Sequence, residues 1–173
     1  MKVKKVFNIM NVISWIVFVG YCVKAGAITI VSILSLFVNK NVTENLYMGI
    51  DLSNLYSFNK IHYTFFVLLI ILIVALKAFI FYFLIKIFEI MNFNKPFNSL
   101  VEGLIFKISY VSLSVGLIGI VANSYKTWLT YKISFTELDI DNSAYIFMAG
   151  VIFVVASLFK RATEIQFEND LTI

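Results

Sequence analysis

The chain has 173 residues, 61% of them hydrophobic and 14% charged, with a mean hydropathy of +0.92 and a formal charge of +4. Soluble domains carry about 25% charged residues and need a polar exterior, whereas a protein surrounded by lipid is apolar outside as well as inside. One Cys and one His exclude an intramolecular disulfide and a His/Cys metal set, and lysines scattered singly exclude a basic nucleic-acid face.

A helix needs roughly 20 mostly apolar residues to cross a bilayer core, where its backbone finds no water. Four stretches qualify, at about 6–30, 62–87, 104–125 and 142–160, followed by a tail at 161–173. The expected fold is therefore an all-α integral membrane protein, one domain of four transmembrane helices. Residues 6–23, 108–125 and 142–159 contain no charge, and 62–85 are interrupted only by Lys77. The first apolar stretch continues to Val38 past a single Lys24, too long for one upright span, so it tilts or projects beyond the bilayer. Its Ala25-x-Ala27 resembles a peptidase site, but the apolar core is longer than a signal's and resumes afterwards, which predicts an uncleaved helix. Cys22 follows a bulky Tyr21 and reads as packing rather than as a lipid anchor.

Between the first two spans, turn formers alternate with amphipathic Tyr and Leu, as in a segment lying on the protein or at the headgroups. Asn41-Val-Thr43 has the form of a glycosylation sequon, but its Asn/Lys/Ile/Phe-rich surroundings look bacterial and none is expected. Pro96, the only proline, suits a turn between helices and pushes Lys95 toward extended geometry; Ser99 is the expected cap of the third helix, with Glu102 completing a capping box. After the third span, Lys132, Ser134 and Thr136 alternate with Ile133 and Phe135, the pattern of a short β element that would pair with the first loop.

Basic residues orient the bundle. With the N-terminus inside, eight lie on the cytoplasmic side (Lys2, Lys4, Lys5, Lys86, Lys95, Lys107, Lys160, Arg161) and four outside (Lys40, Lys60, Lys126, Lys132). This selects N-in, C-in topology in the bacterial cytoplasmic membrane.

Lys24 and Lys77 are the intramembrane charges. Depth along each helix places Lys24 near the outer boundary and Lys77 within reach of the inner one, which favours snorkelling over a transport role. No Asp or Glu lies in any apolar core, against an ion-coupled pathway. Ser112, Gly116 and Gly119 on the third helix, and Ala149, Gly150, Ala156 and Ser157 on the fourth, are small-residue stripes suited to close packing. The acidic run Glu137, Asp139, Asp141 lacks the Gly and distal Glu of a calcium loop, and His62 reads as an interfacial anchor. No catalytic constellation or cofactor motif is present in the sequence, so no enzyme is expected.

After Lys160 and Arg161 the last helix continues into water with Glu164 and Glu168 four apart and Ile165 beside them, a short helix with an acidic edge. The closing "LFKRATEIQFENDLTI", with Glu164, Glu168, Asp170, Leu171 and Thr172, is similar to the final signature of a bacterial membrane family called domain of unknown function 2975, and the "KPF" at residues 95–97 resembles it too. Members often carry a basic Leu-Arg pair after that element, where this chain has Ile105, Phe106 and Lys107. The resemblance implies a small multi-pass protein without known activity, often encoded beside a small helix-turn-helix regulator. The expectation is that the tail (Glu164, Glu168, Asp170, Leu171) and the 91–107 segment hold such a regulator at the membrane, without direct nucleic-acid binding. The rivals are a small transporter or channel using Lys24 or Lys77, and an accessory subunit of a larger membrane complex.

Overall fold

A computed structural model describes residues 2–93, 96–133 and 142–171. Four long helices run antiparallel in chain order: α1 (Lys2–Phe37), then, after a 3-10 turn (Lys40–Asn45) and a short α2 (Ser53–Phe58), α3 (Lys60–Ile90), α4 (Ser99–Thr130) and α5 (Ala144–Leu171). All four are long and apolar enough to cross a membrane. The start of α1, the end of α5 and residues 91–93 and 96–98 lie at one end, here the tail end; residues 38–59 occupy the other, the loop end.

Helix boundaries fall beyond the apolar runs because the caps are polar. Asn59 caps α3, its side chain accepting from the backbone N–H groups of Ile61 and His62. Asn98, not Ser99, caps α4: its Oδ1 accepts from Val101 N at 2.9 Å, which moves Glu102 one position too far along for a capping box. Lys95 lies outside the described residues.

The helices form an open row. α1 packs on α3, α3 on α4 and α4 on α5, and no other pair of long helices makes close backbone contact. In their most apolar stretches 28% of α3 and 33% of α4 is buried, against 11% of α1 and of α5, so the inner helices pack on both sides and the outer two present most of their apolar surface outward.

The α1–α3 seam inverts ordinary amphipathicity. The positions of α1 turned inward are Phe7, Asn11, Ser14, Phe18, Tyr21, Ala25, Ile28, Ser32 and Ser35, a heptad a/d series with polar members, while Ile9, Val12, Ile16, Val23 and Ile30 are exposed. Buried serines satisfy themselves locally: Ser14 Oγ donates to Met10 O at 2.8 Å and Ser32 Oγ to Ile28 O at 2.6 Å. Ser35 donates to Ser32 O and meets the buried Tyr63 hydroxyl of α3 at 2.7 Å, leaving Tyr63 as the donor of that pair.

The loop end holds a packed cap. Leu46, Leu52, Leu55, Tyr63, Phe66, Ile28 and Leu129 are at most 1% exposed. The segment folds back at Met48 and Gly49, whose φ of 48° and 88° both lie in the left-handed region; Gly49 takes it without strain, and its N–H donates to Asn45 Oδ1. Its elements are the 3-10 turn and α2, joined by loop hydrogen bonds such as Leu46 N to Ile50 O and Leu52 N to Thr43 O, so this segment offers no strand for the expected β pairing. Residues 131–133 turn after α4, 134–141 lie outside the described residues, and no strand occurs among those described.

Candidate functional site

The small-residue stripe of α4 is where α5 approaches most closely. A Cβ on Gly116 would stand 2.4 Å from Ile146 Cγ1, and one on Gly119 would stand 2.5 Å from Asn142 Cβ. Ser109 Oγ bridges the same pair by donating to Ala149 O at 2.9 Å. On α5 the predicted stripe divides: Ala149 and Ala156 are buried, whereas Gly150 and Ser157 are exposed and Gly150 has nothing near it. A Cα-level stripe does not say which half of it meets the neighbour.

These contacts fix a stagger. Asn142, just ahead of α5, sits against Gly119, eleven residues before α4 ends at Thr130, so α5 starts about 17 Å down α4 from the loop end. At the other end Phe97, ahead of α4, meets Phe159 edge to face at 5.1 Å, and α5 runs twelve residues further, to Leu171. The tail is thus a continuation of the last apolar helix.

Beside it the tail builds a groove of about 410 Å³ with the start of α4, lined by Phe97, Asn98 and Ser99 on one side and Thr163, Glu164, Gln166 and Phe167 on the other. This is where the structure brings a predicted tail residue and the predicted inner segment together. Glu164 pairs with Arg161 at 3.2 Å rather than with Lys160, and both side chains stay largely exposed. Phe167 is 66% and Ile165 45% exposed, an unusual display for a helix leaving lipid. Glu168 is exposed on the same helix; the side chains of Asp170 and Leu171 lie outside the described residues. Phe97 falls within the predicted 91–107 segment and the KPF likeness, but the sequence did not single it out as a lining residue.

The intramembrane lysines are half-buried and lie at similar depth, since Tyr21 of α1 stacks on Phe81 of α3 close to both. The Lys24 ammonium is 5.9 Å from the Tyr47 ring of the loop segment, in keeping with a reach toward the loop end. Lys77 departs from the expected snorkel: its ammonium lies 4.8 Å from the Tyr145 ring at the start of α5, and Tyr145 in turn reaches the Tyr21 hydroxyl. The late start of α5 brings a polar ring to that depth, so the lysine ends on another helix. Because α3 and α5 backbones do not meet, a cleft of about 440 Å³ opens below Tyr145, lined by Ile80, Leu84, Ile108, Met148 and Ile152 among others. His62 is fixed at the loop end by Tyr125, whose hydroxyl meets its Nδ1, with Phe58 stacked on it.

Comparison of the chain with protein-family models, with curated proteins and with solved structures yields no match.

Proposed function

We propose that this chain is a bacterial cytoplasmic-membrane protein, both termini inside, that holds a basic cytoplasmic protein against the membrane. The observation that carries the reading is the shared groove: residues 97–99 and 163–167 face each other across about 410 Å³, with Phe167 exposed and Glu164 at its rim. An exposed aromatic in a partly walled groove supplies an anchor, while Glu164 and Glu168 supply steering toward a cationic surface. The eight-to-four bias of Lys and Arg supports placing this end inside. The family likeness of the tail makes a small helix-turn-helix regulator the partner.

Affinity purification in mild detergent tests this. The full-length chain is expected to retain a cytoplasmic partner that a Phe167→Ala/Glu164→Lys variant loses by about tenfold or more. Replacing Lys24 and Lys77 by Leu should leave retention unchanged. Equal recovery of every cytoplasmic partner by the full-length and tail-altered proteins would end the proposal. The cleft beneath Tyr145 and Lys77 favours a second reading, a small transporter or channel. Under it the same double Leu variant abolishes flux in reconstituted vesicles.

A further inference from the structure

α1 and α3 do not close on each other along their outward edge. Cys22 and Ala25 of α1 and Ala75 and Ala78 of α3 line a trough of about 440 Å³ that has almost no polar surface, walled by Phe18, Phe79 and Tyr82. It opens outward, with Cys22 exposed and Phe79 52% exposed. An unfilled groove forfeits the dispersion contacts of its lining, and in a bilayer the material at hand is hydrocarbon.

The helix phase tells what the rest of the occupant is. Ala75, Phe79, Tyr82 and Lys86 fall at i, i+4, i+7 and i+11 and so share one face of α3. Lys86 is therefore the next group along the trough toward the tail end, and its ammonium lies 5.9 Å from the centroid of the Tyr82 ring that forms the trough's last wall. Its side chain is 40% exposed and also holds Glu89 at 2.8 Å. Further along α1 at the same end, exposed Lys4 lies eighteen residues, five helical turns, before Cys22 and so on the trough's side of α1, which sets two cations against one carboxylate. An apolar trough ending at a net positive mouth is complementary to an amphipathic anion.

We infer that the α1–α3 trough is a binding site for an anionic phospholipid of the tail-side leaflet, with one acyl chain lying over Cys22, Ala25, Ala75 and Ala78 and the phosphate held by Lys86. This inference needs only that the four helices span a bilayer; it does not depend on the partner proposed above.

Trp15 provides the test. It is 46% exposed and edge-on to Phe18 at 5.8 Å, beside the mouth. The other tryptophan, Trp128, is near the end of α4 at the loop end and is replaced by Phe to leave one emitter. The Trp128→Phe protein is reconstituted with brominated acyl chains carried on phosphatidylglycerol or on phosphatidylcholine. Quenching by the anionic lipid is expected at about fivefold lower mole fraction. Lys86→Gln should erase that preference, and Cys22→Leu, which fills the trough from an exposed position, should weaken quenching by both lipids. Equal quenching by the two lipids, a preference that survives Lys86→Gln, or indifference to Cys22→Leu each overturns the assignment. So does a Cys22–Cys22 disulfide formed in high yield on mild oxidation in bilayers, which gives the trough to a second copy of the chain.

Discussion

Gly116→Ala lowers the unfolding free energy by about 2 kcal/mol, read as a drop in the thermal midpoint in mild detergent. The added methyl lands 2.4 Å from Ile146 Cγ1 and 3.0 Å from Ile146 N, so a side chain near its root and a main-chain atom must both move. Neither is the free end of a flexible chain, and relief comes only by parting α4 from α5. The separation also stretches the Ser109 hydrogen bond to Ala149 O, a buried interhelical contact. Gly150→Ala is the matched control: with nothing within 4 Å of the added atom and an ordinary helical site, it is neutral or slightly stabilising. Equal midpoints for the two variants would refute the close-packed seam.

Leu55→Ala is expected to cost about 3 kcal/mol and to release the loop-end cap. Leu55 is fully buried together with Leu46, Leu52 and Tyr63 and belongs to α2, which packs on α3 and the 3-10 turn. Truncation leaves a cavity that a short helix held at both ends cannot easily collapse. The cap's main-chain bonds, such as Leu52 N to Thr43 O at 2.9 Å, then open more often. Limited trypsin digestion of reconstituted protein measures this: cleavage after Lys40 should accelerate at least tenfold, in line with that loss. An unchanged digestion rate would mean the segment is not anchored by its leucines.

Four helices were legible because long uncharged apolar runs leave a lipid-embedded backbone few alternatives. Their ends were less so: the cap of α4 is Asn98, one residue before the expected Ser99, and Asn59, a polar residue outside the apolar run, extends α3 past its hydrophobic part. The α1–α3 seam escaped notice because Ser14, Ser32 and Ser35 face inward and the outward face is the greasier one. Hydropathy marks what lipid tolerates and says little about which side a helix turns to its neighbour. The depth at which α5 begins was equally hidden: the apolar run from Asn142 reads as an ordinary span, and only the Gly119 contact places its start partway down α4. That offset is why the Lys77 ammonium meets Tyr145. Of the candidate site, the charge pattern of the tail was visible in sequence, whereas the facing wall at Phe97 required two segments some 65 residues apart to be seen together.

The serial packing of the long helices has a consequence for synthesis. Each one rests its backbone on the long helix made just before it, apart from the side-chain meetings of Tyr145 with Tyr21 and with Lys77, so every backbone interface is available as soon as its second member leaves the ribosome. Insertion can therefore proceed as a sequence of hairpin closures in which no early helix waits, exposed, for a late one. A nascent chain halted after Thr130 already owns all its contacts but those of α5, and the cap over α1 and α3 lacks only what α4 adds, Leu129 and Tyr125 among it, until that helix is made.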